Sequence, residues 1–167
     1  LLVGRTEIRG EIVMLKADFA ALNAEREREG LPLFKNPRNL AAGTIRQLDP
    51  KLVAGRPLTF YGYDVLRDNP ADVPTNQSAY ESLAGIGIAS SGKSKLLRGI
   101  ADVMEFVHDL DGVRADLPFN TDGAVIKVND RERFAKLGIV GKSPRGAVAY
   151  KYAAEEATTI VQDIVIS

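Results

Sequence analysis

The chain has 167 residues, and its 22 basic and 22 acidic side chains give a formal net charge of zero. The chain has no cysteine, which excludes disulfides. With a single histidine it also has too few ligands or catalytic residues for a usual zinc site or a Ser/His/Asp triad. Zero net charge argues mildly against a nucleic-acid binder, since such domains usually carry a basic surplus. Any phosphate binding must therefore come from a few placed cations. The composition is that of a soluble domain without a membrane span, and we expect a cytoplasmic protein.

The first half of the chain is predicted to form two strands and two helices. One strand alternates polar and apolar residues, and the other is rich in aromatic and β-branched residues. The helices are predicted from their ends, because Asp18 is a candidate N-cap and Pro37 suits a first helical turn. In chain order, these elements are a strand over Glu7–Leu15, a helix from Asp18 to about Gly30, a helix from Pro37 that ends before Pro50, and a strand over Leu58–Leu66.

The second half is predicted to begin with a surface loop, because residues 67–78 contain two prolines. Apolar residues at helical spacing then predict a helix over Ile100–Leu110. The remaining elements are a strand over Ala124–Val128, a helix over Arg131–Leu137, a strand over Ala147–Tyr152 and a last strand that starts over Ile160–Ile166. Because strands and helices are mixed without regular βαβ alternation, we predict an α+β fold.

The stretch GIASSGKS (Gly87–Ser94) matches the Walker A phosphate-binding pattern. A working P-loop needs a buried strand before it and a helix directly after it. The preceding Tyr80–Gly85 is a poor strand, although a helix from Lys95 would be acceptable. We therefore interpret the stretch as a Gly/Ser-rich surface turn.

Four segments carry a more specific signal when they are taken together. They are EIRGEI (Glu7–Ile12), FKNPRNLAAGTIRQLDP (Phe34–Pro50), TDGAVIKV (Thr121–Val128) and AVAYKY (Ala147–Tyr152). In this order they resemble the adenylation, or nucleotidyltransferase, domain of bacterial NAD-dependent DNA ligases. The first, third and fourth resemble motifs III, IV and V, and the second resembles a stretch peculiar to the NAD-dependent enzymes.

The resemblance implies a fold of the DNA ligase and mRNA-capping type, with antiparallel sheets flanked by helices. Residues 1–158 are expected to be the C-terminal part of the adenylation domain, and residues 159–167 a connecting strand toward an OB-fold. No Lys-x-Asp-Gly occurs in the chain, so the nucleophilic lysine is expected upstream, in a longer protein. Gly146 departs from the family pattern, which has an aromatic residue before motif V.

The resemblance also implies the reaction. NAD serves as the donor of AMP, Mg²⁺ assists, and the substrate is nicked duplex DNA; zinc is expected only in a region absent here. AMP passes from NAD to a lysine and then to the 5′-phosphate of the nick, and the 3′-hydroxyl finally displaces it. Each step is a displacement at phosphorus, which depends on positioning and on cations around developing negative charge. A monomer is expected.

The resemblance assigns roles to four residues of motifs III to V. Glu11 is implied to accept hydrogen bonds from ribose hydroxyls, and Lys127 and Lys151 to contact the adenylate, Lys151 at its phosphate. Asp122 is implied to support this site by organising Mg²⁺ or the lysines. We predict that Glu11, Lys127 and Lys151 line one nucleotide pocket.

Three arginines are candidates for binding DNA and its phosphate. Arg38 and Arg46 lie in the family-specific segment on a predicted helix, and the resemblance implies that they face the nicked strand. Arg114, just before motif IV, is a weaker candidate. The planar guanidinium suits phosphate oxygens bidentately.

Two other functions remain open from the sequence. ATP-dependent ligases and RNA-capping enzymes share motifs III, IV and V, but they lack the segment FKNPRNLAAGTIRQLDP. A non-catalytic nucleotide or nucleic-acid binding module is the second alternative, because the nucleophile is not in the chain.

Overall fold

A computed structural model of the chain describes residues 4–153 and 158–164. The helices in these ranges are α1 (Lys16–Arg28), α2 (Pro37–Ile45), α3 (Pro50–Ala54), α4 (Asn76–Gly85), α5 (Ile100–Gly112) and α6 (Arg131–Lys136). The strands are β1 (Thr6–Val13), β2 (Thr59–Arg67), β3 (Gly123–Lys127), β4 (Ile139–Val140), β5 (Ser143–Pro144) and β6 (Ala147–Lys151), and 3₁₀ turns cover Pro70–Asp72 and Arg114–Asp116. This mixture confirms the α+β class. Across the described ranges, no helix has both the length and the apolar character that crossing a membrane requires.

Strands β1 and β2 form an antiparallel pair with a bulge in its middle. Arg9 pairs with Asp64 and Gly10 pairs with Gly62, which leaves Tyr63 without a partner. The glycine pair is required by close packing, because a Cβ at Gly62 would lie 2.9 Å from the side chain of Leu83. The extra residue changes the alternation along β2, so that both Gly62 and Val65 are buried.

Helix α4 covers the buried side of this strand pair and forms the core with it. Val65, Val73, Ala79 and Leu83 are at most 3% exposed and make up one cluster. Thr75 caps α4, and its hydroxyl accepts from the Ser78 amide while the Ser78 hydroxyl accepts from the Thr75 amide. The prediction of a surface loop over residues 67–78 was therefore wrong, since this segment contributes a core residue and begins a helix.

Strands β3 and β6 form a second antiparallel pair, from Gly123 opposite Lys151 to Lys127 opposite Ala147. Helix α5 packs near β3, and the His108 ring lies 6.4 Å from the ring of Tyr150. The strand β6 follows directly on Gly146, which is buried.

The structure explains why glycine stands at position 146. A Cβ there would lie 2.5 Å from the ring of Phe134, a residue of α6. The space next to the backbone of Gly146 is thus already filled by an aromatic ring. This departure from the family pattern concerns packing between α6 and β6.

The two strand pairs are joined by polar contacts between β2, α4 and the segment after β3. The Arg131 guanidinium donates to the Val65 carbonyl at 2.7 Å and forms an ion pair with Asp64. The Asn76 amide donates to the Val128 carbonyl at 2.8 Å. These contacts fix the motif IV strand relative to β1 and β2.

The predicted helix ends differ from the structure at several places. Helix α1 begins at Lys16 with Leu15 as its N-cap, and Asp18 lies inside its first turn, where a carboxylate complements the helix dipole. Helix α3 was not predicted. Residues 158–164 contain no helix or strand, and the rest of the predicted last strand lies outside the described residues.

The Walker-like stretch has neither flanking element that a P-loop requires. Helix α4, and not a strand, precedes it, and residues 88–99 form no helix or strand. Gly87 and Gly92 both have positive φ angles, of 77° and 68°, which is typical of turns. The interpretation as a surface turn is confirmed, and the expectation of a helix from Lys95 was wrong, since α5 begins at Ile100.

Candidate nucleotide-binding site

The β3–β6 register places the motif IV and motif V lysines on one face of their sheet. Lys151 lies opposite Gly123, and Lys127 is four residues further along β3. Directly paired residues and residues two or four apart along a strand point to the same side. Lys127 and Lys151 therefore share a face. Ala124, Ile126 and their partner Tyr150, which lies near α5, belong to the other face.

Asp122 connects Lys151 to helix α2. The Lys151 ammonium donates to Asp122 Oδ2 at 2.9 Å, and a guanidinium nitrogen of Arg38 lies 3.7 Å from the same oxygen. The hydrogen bond from Lys151 lowers the pKa of the Asp122 carboxyl below its ordinary value, and the charges of Lys151 and Arg38 add to this effect. The Asp122 carboxylate of motif IV thus pairs with one cation of motif V, Lys151, and with one of the family-specific helix, Arg38.

These three side chains are open to solvent, with relative exposures of 65% for Lys151, 64% for Asp122 and 73% for Arg38. Exposed ion pairs contribute at most about 1 kcal/mol. A bound phosphate would therefore compete for either cation at little cost. The arrangement can position two cations before a phosphate arrives and release them to it.

Lys127 is held against the other strand pair. Its ammonium lies 5.2 Å from the centre of the Tyr63 ring, within the range of a cation–π contact. Tyr63 is the residue that the bulge leaves unpaired in β2. The lysine face of β3–β6 is therefore turned toward β2.

Glu11 lies on β1, directly opposite Tyr61. The Tyr61 ring is 5.4 Å from the ring of Phe119, which precedes motif IV in the chain. Residues directly opposite on antiparallel strands share a face, so Glu11 projects from the side of the sheet that carries Tyr61. The structure brings Lys127 and Lys151 to one face, and a pocket that they share with Glu11 stays a prediction.

A sequence model of the NAD-dependent DNA ligase adenylation domain matches residues 2–155 of the chain. The chain belongs to this family. Similar relatives are DNA ligases of Koribacter versatilis (40% identity over 99% of the chain), Thermomicrobium roseum (46% over 96%) and Halothermothrix orenii (45% over 96%). The resemblance found in the four segments is confirmed, and the family implies a nucleotidyltransferase fold. The chain spans 24%, 23% and 24% of the lengths of these relatives.

In this member of the adenylation domain family, Arg46 and Arg114 lie apart from the Asp122 cluster. Arg46 is the C-cap of α2, and its Nε donates to the Ala42 carbonyl at 3.1 Å. The Arg114 side chain is half-buried and already has partners nearby. It forms an ion pair with Asp111 at 3.3 Å, and its guanidinium carbon lies 5.6 Å from the centre of the Tyr152 ring. Arg38 is thus the one of the three predicted DNA-binding arginines that the described structure joins to a motif lysine.

The aromatic residues of the site, Tyr61 and Tyr63, were not predicted from the sequence. Tyr63 supports Lys127, and Tyr61 lies opposite Glu11 and contacts Phe119. Their signal was present in the aromatic alternation of TFYGYDVL, which predicted a strand. Which face of that strand meets motif IV depends on contacts between residues far apart in the chain.

Within residues 4–153 and 158–164, the described residues form no cluster of three or more His, Cys, Asp or Glu side chains that could hold a metal ion. Asp122 is the carboxylate of the lysine cluster, and its Oδ2 is already paired with two cations. A metal ion would compete with both.

Proposed function

We propose that this chain is part of a longer ligase that seals nicks in duplex DNA with NAD as the donor of AMP. A lysine outside this chain attacks the adenylyl phosphate of NAD and takes up AMP while nicotinamide mononucleotide leaves. AMP then passes to the 5′-phosphate of the nick and leaves when the 3′-hydroxyl attacks that phosphate. The observation that carries the proposal is the cluster of Lys151, Asp122 and Arg38, with Lys127 on the same sheet face as Lys151. The family of the chain supports the choice of NAD.

In the adenylation step, Lys151 meets the phosphate of AMP. A compact ammonium suits a point-charge contact with phosphate oxygens. When phosphate binds, Lys151 leaves Asp122, and the carboxylate keeps Arg38 near the site. Lys127, positioned over Tyr63, contacts the adenylate beside Lys151, and Glu11 accepts hydrogen bonds from the ribose.

In the DNA steps, Arg38 meets the 5′-phosphate that receives AMP. Its position 3.7 Å from Asp122, which also binds Lys151, places a DNA-binding cation next to the cation that meets the adenylate phosphate. A displacement at phosphorus needs both reacting groups held close together. Arg46 and Arg114 contribute further contacts to the strand.

The proposal also includes conditions that the family suggests. The ligase is a cytoplasmic monomer that acts in DNA replication and repair. Mg²⁺ is bound mainly by phosphate oxygens of the substrates and by water, as is usual for this cation.

The test uses the full-length ligase and a nicked duplex, with NAD or ATP as the only nucleotide. We expect an enzyme–AMP adduct by intact mass and a sealed strand with NAD, and neither product with ATP. Sealing with ATP alone would support an ATP-dependent enzyme. Binding of DNA or nucleotide without any adduct would support a non-catalytic module.

A further inference from the structure

The cations of this chain are concentrated in one segment. Residues 35–56 contain one acidic side chain, Asp49, so the rest of the neutral chain is net negative. The basic side chains of the segment are Lys35, Arg38, Arg46, Lys51 and Arg56. In the described part of the chain, Arg38 is the member of this set with a carboxylate partner. Cations clustered without acids provide a local positive field for an anionic ligand.

A cleft of about 470 Å³ opens between α2, α3 and the residues that precede α2. Lys35 and Arg56 are its charged lining residues, and Asn39 and Gln47 add amide groups. The floor includes Phe34 and Leu40. The cleft is far larger than the ~30 Å³ of one water molecule, and its lining combines two cations and several amide groups with apolar side chains.

The aromatic ring of Phe34 holds the guanidinium of Arg56 in place. The Arg56 guanidinium carbon lies 5.2 Å from the ring centre, and that of Arg26 lies 4.3 Å from it. Phe34 is itself fixed, because its amide donates to the Asn23 side chain at 2.8 Å and its carbonyl accepts from it at 2.9 Å. Arg56 is thus ordered before any ligand binds, so less side-chain entropy is lost on binding.

The cleft and the candidate nucleotide site lie on different sides of α2. Asn36, Gly43 and Gln47 line the cleft, whereas Arg38 does not and instead meets Asp122. A helix with its side chains is about 10–12 Å across.

We propose that this cleft binds one phosphodiester of the DNA substrate, on the side of α2 away from the phosphate at Arg38. Lys35 and Arg56 neutralise the phosphate, and the amides of Asn39 and Gln47 donate to its oxygens. A linear polyanion fits the observations because the cations continue along α2 and α3 from the nucleotide side to the cleft. The inference rests on the proposed function and adds residues outside the two lysines and three arginines assigned above.

The test compares a Lys35→Gln/Arg56→Gln double variant of the full-length ligase with a control double variant, Arg98→Gln/Lys142→Gln. Both control residues are exposed cations outside the segment. We expect the salt dependence of nicked-DNA binding to flatten by about one in the first variant, since one lost phosphate contact removes ~0.9 from the slope. The control should keep the parent slope, and both variants should form enzyme–AMP from NAD at the parent rate.

Replacing single phosphates by neutral methylphosphonates locates the contact on the DNA. In the parent enzyme, one substitution at a phosphate other than the 5′-phosphate of the nick should weaken binding, and in the Lys35→Gln/Arg56→Gln variant the same substitution should have no further effect. An unchanged slope, or a scan without such a position, would overturn the cleft proposal while the ligase proposal stands. A parent enzyme that forms no adenylate and binds no nicked DNA would overturn both.

Discussion

The two strand pairs of this chain differ in how they bury their apolar side chains. The β1–β2 pair packs on α4 through a cluster in which Val65 and Leu83 are fully buried. In the β3–β6 pair, Val125 and Val148 remain 61% and 62% exposed. The first pair is thus a packed scaffold, and the second is an open platform that presents two lysines.

The open lysine platform is held in place by its contacts with the packed scaffold. The lysine strands gain little from their own apolar contacts, and ion pairs and hydrogen bonds to the scaffold supply the alignment. Arg131 reaches Asp64 and the Val65 carbonyl, and Lys127 lies over Tyr63. Substitutions in the scaffold should therefore affect stability first, and substitutions in the platform should affect chemistry first.

The largest expected effect is on scaffold stability. Leu83→Ala leaves a cavity in the core cluster, and buried Leu→Ala changes typically cost about 2–5 kcal/mol. Hydrogen exchange of the full-length ligase should show faster exchange of β2 and α4 amides. Val148→Ala is the matched control, because this exposed position should change stability by no more than about 0.5 kcal/mol. Equal effects of both changes would show that the two strand pairs do not differ in how they bury apolar side chains.

The next effect is on chemistry in the platform. Lys151→Ala should slow enzyme adenylation by two or more orders of magnitude, since loss of a group that stabilises developing charge costs on the order of 3 kcal/mol. Lys151→Arg should restore only part of the rate, because a planar fork replaces a point charge. Single-turnover adenylation by NAD measures both.

Lys93→Ala is the control for the lysine variants. This exposed lysine belongs to the Walker-like turn, so its removal should leave adenylation at the parent rate. A loss of nucleotide binding in Lys93→Ala with the fold intact would argue for a P-loop. A full rate in Lys151→Ala would remove Lys151 from the site.

A smaller effect is expected at the link between platform and DNA. Arg38→Ala and Arg46→Ala should each lower the salt slope of DNA binding by about one and slow nick sealing. The rate of adenylation by NAD should stay close to that of the parent, because the Arg38–Asp122 ion pair is exposed and contributes little to stability. Titrations of nicked DNA at several salt concentrations measure the slope. Unchanged sealing in both variants would exclude these arginines.

The smallest effect concerns the titration of Asp122. Because its pKa is lowered from 3.8 mainly by Lys151, the pairing is complete above that ordinary value and is lost as the pH falls through the lowered one. Near neutral pH the pairing should therefore not vary. In Lys151→Ala, the pKa should rise back toward 3.8, as followed by carboxyl NMR. The same pKa in both proteins would show that the ion pair does not persist in solution.

Most elements of the fold could be predicted because their signals are local. The alternation in Thr6–Val13, the aromatic residues of Thr59–Arg67 and the helical spacing after Ile100 each act within a few residues. Helix α4 was missed although its signal is equally local. Thr75 and Ser78 form a capping box, but the neighbouring prolines favoured a loop.

The strands that carry Glu11, Lys127 and Lys151 can be predicted from the sequence alone, because alternation along a strand is a property of neighbouring residues. The surfaces that these strands face depend on tertiary contacts. Lys151 and its partner Asp122 are 29 residues apart, and Arg131 is 67 residues from Asp64. Contacts at such separations depend on strand register, on the bulge in β2 and on packing against α4. No local pattern encodes them, since each depends on the fold of the whole domain.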